Sequence, residues 1–290
     1  MPGDDPQRLT FVQRRAMRQL VKKARKPAGE PLSEEDWAAY WSMSGDSGHR
    51  AMKRMLLAIP SSPRCGFCGA PFAGLGSKVL RPMGFRPSRK NPSMCDVCVE
   101  LAPPGGMTMK AGVLFADVRG FTALSERTEP REVSALLRRF YGIAERVLFP
   151  EAMIDKLIGD EVMALYLPIP GHDHDPEETR ARIAETMLRH ARKLLEGVGY
   201  GADDGPFVEL GIGLDHGEAF VGNIGEGSVR DFTAIGDVVN TASRLTGHAR
   251  GGEIVVSARL ADALPDPPGD AVELTVKGKA EPVPARRIAA

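Results

Sequence analysis

Residues 109–290 predict an α+β domain, preceded by a helical region at 1–59 and a cysteine-bearing segment at 60–108. Three observations carry this reading. Apolar runs at Val113–Ala116, Val162–Leu167 and Val208–Leu214 alternate with amphipathic stretches at 130–148 and 177–196. All four cysteines fall between 60 and 108, among many prolines and glycines. Charge divides as well: 1–110 holds 18 basic and 9 acidic residues, and 111–290 holds 20 and 29. A balance of +9 therefore meets one of −9 in a chain of zero net charge. That asymmetry suits two units with different work, or a basic face packed on an acidic one.

With 42% hydrophobic and 26% charged residues over 290 positions, the composition is that of a soluble globular protein with a real core. No run approaches the ~18 apolar residues of a membrane span. The first residues, MPGDDPQRLTFVQRRAMRQL, lack the apolar stretch of a secretory signal. Four clustered cysteines are too few for a disulfide scaffold of this size. The expected location is cytoplasmic.

The N-terminal region reads as three helices. Leu9, Val12, Ala16 and Leu20 recur at helical spacing within 6–26, with eight Lys/Arg on the other faces, and Pro27-Ala28-Gly29 ends the run. Ser33 followed by Asp36 resembles a capping box opening a short helix with Trp37, Tyr40 and Trp41. A third helix is expected over His49–Ala58, with Met52, Met55, Leu56 and Ile59 on one side.

Segment 60–108 has too little apolar surface to fold without a staple. Its cysteines form two C-x₂-C pairs, Cys65/Cys68 and Cys95/Cys98, separated by 26 residues. Such pairs present four thiolates to one metal ion. A closed Cys₄ set suits one structural Zn²⁺, and the same ligands can hold an iron–sulfur cluster. Gly69 follows the first pair and Val99 the second, so the second turn is less regular.

In the larger domain, an apolar strand delivers Asp117 to its end, followed by Gly120, Phe121 and Thr122 at a helix start. A carboxylate beside helix N-terminal N–H groups suits a metal-bound polyphosphate. Forty-three residues on, Gly159-Asp160 lies between two apolar strands, which places Asp160 at a hairpin tip where it can face Asp117. After Gly236 a helix begins with Asn240 and Arg244 four apart, hence on one face. An amide and a guanidinium there can hold a sugar and a phosphate. The tract His172-Asp173-His174-Asp175, set between prolines, reads as a polar loop, and Tyr166 as a core residue.

The stretches FADVRGFT, DKLIGDEVMAL and FTAIGDVVNTASRL, in this order, resemble the catalytic domain of class III nucleotidyl cyclases over about residues 109–290. Gly217–Gly225 and Val276-Lys-Gly-Lys279 support the match. The resemblance implies a ferredoxin-like α+β domain, an antiparallel-rich sheet with flanking helices. It implies that Asp117 and Asp160 ligate two Mg²⁺ or Mn²⁺ per active site. Lys156 and Thr233 match the base-reading positions, Asn240 the ribose-orienting one, and Arg244 the one meeting charge on the transferring phosphate. Lys277, less surely Lys279, matches a lysine at the terminal phosphates, and Gly120, Phe121 and Thr122 belong to the substrate site. Thr at the base-reading position resembles the class IIIb subgroup, some of whose members respond to bicarbonate.

In this family the metal ligands come from one subunit and the base- and phosphate-binding residues from the other. All are in this chain, so the resemblance implies a homodimer. Base choice has a physical side. Adenine offers an acceptor at N1 and a donor at N6; a Lys donates and a Thr hydroxyl can accept, so the pair fits ATP, and guanine reverses both edges. The expected reaction is conversion of ATP to cyclic AMP and pyrophosphate. The rival reading is a zinc-ribbon module for nucleic acid or a protein partner, coupled to a nucleotide-sensing domain. It rests on the +9 region, but no aromatics interleave with its basic residues, so nucleic acid is not the expected partner.

Overall fold

A computed structural model describes residues 32–38, 47–61, 64–65, 68–88, 94–101, 104–149, 151–168, 175–226 and 229–290. The helix expected at 6–26, Tyr40, Trp41 and His172 to His174 lie outside the described residues. The chain divides into two compact units. One comprises Met109–Ala219 with Ala234–Ala290, and the other runs to Thr108 and includes Phe220–Thr233.

The sheet has the order β2-β3-β1-β4-β6-β8-β7, with β5 paired to β4; most of it belongs to the larger unit, and the start of β1, the end of β4 and most of β5 belong to the smaller one. The strands are β1 (Gly105–Val118), β2 (Met153–Ile158), β3 (Glu161–Tyr166), β4 (Leu210–Glu226), β5 (Val229–Ile235), β6 (Glu253–Ser257), β7 (Asp270–Leu274) and β8 (Val283–Ala289). Pairing is antiparallel for β1/β3, β2/β3, β6/β8 and β7/β8, and parallel for β4/β6. The α+β, antiparallel-rich expectation describes this sheet.

Both faces are covered, which is why the central strands read as continuous apolar runs rather than alternating ones. On one face Leu114, Ile212, Leu214, Ile254 and Val256 pack with Phe140, Leu148, Met187 and Leu194. The latter four come from helices Pro130–Leu148 and Pro176–Val198, close to the expected 130–148 and 177–196. Val255, between Ile254 and Val256 on β6, points the other way and packs with Leu245 and Ala249. Leu245 belongs to the helix Asp237–His248. That helix lies directly on β4: a Cβ at Gly213 would sit 2.3 Å from Thr246 N and 2.4 Å from Ala242 O.

In the smaller unit Ser33 caps a helical turn. Ser33 Oγ accepts from Asp36 N at 3.3 Å and donates to Asp36 Oδ2 at 2.7 Å, opening a helical turn at 34–38. The third N-terminal helix spans Ser47–Leu57, with a correction to its face. Leu56 is buried, whereas Met52 and Met55 are exposed, because only one of these side chains finds apolar neighbours. A further short helix, Gly74–Leu80, and another at Asp96–Leu101 complete the cysteine segment.

Two residues of the polar tract and the core bear on the larger unit. Asp175 caps Pro176–Val198 by accepting from Glu177 N at 2.9 Å. Tyr166 is buried as expected, and its hydroxyl lies 3.0 Å from His190 Nδ1, a partner the apolar run did not foretell.

Candidate active site and cysteine centre

The β1/β3 register sets the first half of the site. Asp117 ends β1 opposite Glu161, and Val118 N donates to Asp160 O at 3.3 Å, so Asp117 and Asp160 are brought to the same end of neighbouring strands. Gly159, with φ of 62°, makes the tight turn that Asp160 completes. Gly120, at φ 68°, turns the chain into the helix Phe121–Arg127, so Phe121 and Thr122 open that helix directly after Asp117.

Between the acids lies Arg119, to which the sequence motifs assign no role. Its guanidinium pairs with the Asp117 carboxylate, and its backbone N donates to Glu209 O at 2.7 Å. Partial burial lowers the Arg119 pKa, against the opposing pull of Asp160 and Glu161. Burial also raises the Glu161 carboxyl, with the Asp160 charge adding to it and Arg119 opposing. Three carboxylates face one guanidinium here, leaving net negative charge. Hard oxygen donors in excess of local positive charge suit a divalent cation of the Mg²⁺ or Mn²⁺ kind.

Lys156 sits on β2 where the register with β3 shifts, its Nζ 3.7 Å from the buried carboxylate of Asp155. Three strands, β3, β1 and β4, separate β2 from β6, on which the helix of Asn240 and Arg244 packs. At 4.7–4.9 Å per strand that is about 19 Å to β6, and about 14 Å to β4, on which the helix also lies. Asn240 is exposed and Arg244 half-buried on that helix.

The turn Val276–Lys279, closed by Lys279 N donating to Val276 O at 3.1 Å, lies against Arg244. A Cβ on Gly278 would stand 3.2 Å from Arg244 Nη2. The two candidate lysines of this turn separate by environment. Lys279 Nζ pairs with Asp237 Oδ1, and this bond pulls the Asp237 carboxyl below its ordinary pKa. Lys277 is exposed. Asp237 also lies 3.8 Å from Arg259, which forks onto the fully buried Asp215, bonding Oδ1 at 2.7 Å from Nε. Ser257 Oγ and His216 N also donate to Asp215 Oδ1, at 2.6 and 2.8 Å. No sequence spacing announced this network, because its members meet only through the β4/β6 pairing.

Thr233 belongs to the smaller unit. It is half-buried and follows the buried Phe232 on β5.

The four cysteines of that unit converge, with their sulfurs all within 4.8 Å of one another. Cys65 and Cys98 Sγ are 3.8 Å apart, and Cys68 and Cys95 Sγ 3.7 Å. Tetrahedral bonds of 2.3 Å place sulfurs about 3.8 Å apart, so the spacing fits one metal ion. Two backbone amides support the sulfurs: Cys95 N donates to Cys65 Sγ at 3.2 Å and Cys98 N to Cys95 Sγ at 3.4 Å. Burial alone would raise the Cys65 thiol, but hydrogen bonds from Cys68, Cys95 and Cys98 bring it well below its usual value. Those with Cys65 and Cys68 push Cys95 and Cys98 well above theirs. Four such thiols cannot all ionise without a cation among them. The two pairs differ in backbone, as the sequence suggested. Gly69, φ 77°, closes the first turn by donating to Cys65 O at 2.9 Å, whereas Cys98 sits in the first turn of Asp96–Leu101. Arg64 ties the first turn down, donating to the carbonyls of Leu56, Ser61 and Gly69 at 3.0, 2.9 and 3.1 Å.

The sequence profile of the adenylate and guanylate cyclase catalytic domain matches residues 106–284. The chain belongs to this family. An adenylate cyclase of Anabaena cylindrica is 30% identical over 186 residues, 61% of this chain and 36% of that protein. Adenylate cyclase 1 of Rhizobium meliloti is 31% identical over 137 residues, 46% of this chain and 20% of that one. The cyclase chain thus spans little more than a third, or less, of these relatives. Among solved structures, the adenylyl cyclase CyaB from P. aeruginosa is similar with a TM-score of 0.51 at 26% identity, covering 63% of this chain and 96% of that one. The guanylyl cyclase Cya2 is similar with a TM-score of 0.50 at 28% identity, covering 63% and 93%. The cyclase fold therefore accounts for the larger unit, and residues before 106 lie outside the match. Among the described residues no helix is long and apolar enough to cross a membrane.

Proposed function

We propose that this cyclase converts ATP to 3′,5′-cyclic AMP and pyrophosphate, at two composite sites of a homodimer. The observation that carries the reading is that Asp117, near the end of β1, and Asp160, in the turn that opens β3, stand at one end of two paired strands, in a chain that also holds Lys156, Thr233, Asn240 and Arg244. Asp117 and Asp160 of one subunit would hold the two Mg²⁺ or Mn²⁺. Bound there, such ions would lower the pKa of the ribose 3′-hydroxyl and neutralise charge on the departing phosphates. Lys156 and Thr233 of the other subunit donate to adenine N1 and accept from its N6 amino group. Asn240 orients the ribose so that the 3′-oxygen lies in line with the α-phosphorus. The new bond joins O3′ to the α-phosphorus as the bond to the β-phosphate oxygen breaks, and the hydroxyl proton leaves to solvent. Arg244 meets the charge growing on the α-phosphate with a planar fork, and Lys277 holds the leaving pyrophosphate.

Cys65, Cys68, Cys95 and Cys98 hold one structural Zn²⁺ in the same reading. The sulfur spacing and the need for a cation support a closed tetrahedral site.

Incubation with ATP or GTP plus Mn²⁺, followed by chromatography of the product, tests the activity. Cyclic AMP from ATP supports it, cyclic GMP from GTP alone moves the enzyme to guanylate cyclase, and neither product overturns it. Metal analysis tests the cysteine site: one zinc per chain supports it, and iron with sulfide replaces it by a cluster.

A further inference from the structure

The smaller unit contains more than the cysteine segment, since residues 220–233 of the β4–β5 arm group with it. We infer that Trp37 is a positioning residue for Thr233, fastening the arm that presents the base-reading hydroxyl. The inference rests on the reading of Thr233 proposed above.

Three sets of contacts carry it. Trp37 is 1% exposed and among the largest fully buried side chains. Its ring centroid lies 6.3 Å from that of Phe232, tilted 44°, within the range of favourable aromatic pairs. Phe232 is itself 2% exposed. Neighbouring strand residues point to opposite faces, so anchoring Phe232 on Trp37 turns Thr233 away from the anchor. The second set ties Trp37 to the start of β1. Its Nε1 donates to Pro104 O at 3.2 Å, Leu32 N donates to the same oxygen at 3.0 Å, and Thr108 Oγ1 donates to Glu34 at 2.9 Å. The third ties the start of β1 to the arm. Pro104 bridges to Asn223, and a Cβ on Gly222 would lie 2.3 Å from Gly106 Cα. No side chain fits between those glycine backbones. The arm is thus gripped on Phe232 by the indole and on Gly222 by the backbone that the indole also binds. A loosened Trp37 frees Phe232, and Thr233 with it.

The test uses the full-length protein and reads the ratio of kcat/KM for ATP to that for GTP. Thr233→Ala should lower this ratio about tenfold, the worth of one good hydrogen bond. Trp37→Ala should lower it comparably, and Thr233→Ala combined with Trp37→Ala should lower it no further, since both act through one hydroxyl. Trp37→Phe keeps an aromatic contact with Phe232 and should recover most of the ratio. Phe232→Leu supplies the same test should Trp37→Ala fail to fold, circular dichroism and melting being followed throughout. If Trp37→Ala and Phe232→Leu change both substrates equally, or add to Thr233→Ala, the inference is overturned. If Thr233→Ala alone leaves the ratio unchanged, the base-reading assignment fails, and the positioning role falls with it.

Discussion

The ammonium of Lys279 is bonded to the carboxylate of Asp237, the first residue of the helix that carries Asn240 and Arg244. This pair joins that helix to the turn holding Lys277, so the two side chains proposed above to meet the phosphates, Arg244 and Lys277, are set by one contact. It also separates two lysines that lie one residue apart in Val276-Lys-Gly-Lys279. Lys277→Ala should raise KM for the triphosphate, because it removes a contact to the terminal phosphates. Lys279→Ala should instead lower kcat several-fold, by loosening Arg244. Asp237 is 57% exposed, so stability should change by less than about 1 kcal/mol. Lys279→Arg should recover kcat. A charge swap would not, since it would set a new lysine beside Arg259. Steady-state kinetics of the three variants decide the assignment. Equal effects on KM from both alanine variants would return Lys279 to the phosphates.

Composite sites make a sharper demand. Asp117→Ala and Arg244→Ala should each abolish activity while leaving the fold intact, since neither side chain belongs to the apolar core. Mixed together, the two inactive chains should recover activity. One hybrid site then unites intact metal ligands with an intact Arg244, and the other site carries both lesions. Heterodimers that form and stay inactive would count against sharing between subunits.

Replacing Cys65 and Cys68 with Ser should release the metal and open residues 60–101 to protease. Loss of the cation leaves buried thiols whose ionisation nothing balances, and metal affinity in so small a segment is folding free energy. Arg64, with its carbonyl bonds around the first turn, is a further fastening there, so Arg64→Ala on top of the serines should deepen the loss. Limited proteolysis with elemental analysis follows both steps. A segment that keeps its protection without metal would show that the hydrogen bonds of the turn, those of Arg64 among them, suffice.

Much of the larger unit was legible because its physics is local. The apolar runs Val113–Ala116 and Val162–Leu167 fall on β1 and β3, and Gly159-Asp160 can only be a turn before the second of them. Asp117 and Asp160 follow from those strands. Arg119 was not legible, since its meaning lies in facing Glu161 and Asp160 across a strand pair. Asp215 and Arg259 stand 44 positions apart and meet through a parallel pairing that no periodicity announces. Met52 and Met55 share a helical stripe with Leu56, yet a stripe says nothing of whether a neighbour arrives to cover it.

Part of the acid stability should turn on His216. Its side chain is buried at the Asp215–Arg259 corner, and its pKa falls to about 4. Burial is the main cause, and the positive charges of Arg180, Lys110 and Arg259 add to it. In the unfolded chain the same imidazole titrates near 6.5. Between these values the unfolded state binds a proton that the folded state refuses, so stability must rise with pH across that window. Above about pH 6.5 both states are neutral and the contribution is complete; as pH falls it is lost progressively and levels off below about 4. The shift corresponds to at most about 3 kcal/mol, at about 1.36 kcal/mol per unit. Carboxylate pairs such as Asp237–Lys279 act lower, being lost only as pH falls through a depressed carboxyl pKa. Denaturant unfolding from about pH 7 down to about pH 4 should therefore show the wild type losing stability from just below neutrality. His216→Gln, which cannot take the proton, should lose less over the same span, the remainder including buried His190, whose imidazole burial also holds below its ordinary value. Parallel slopes for the two proteins across that window would mean that another group drives the acid loss.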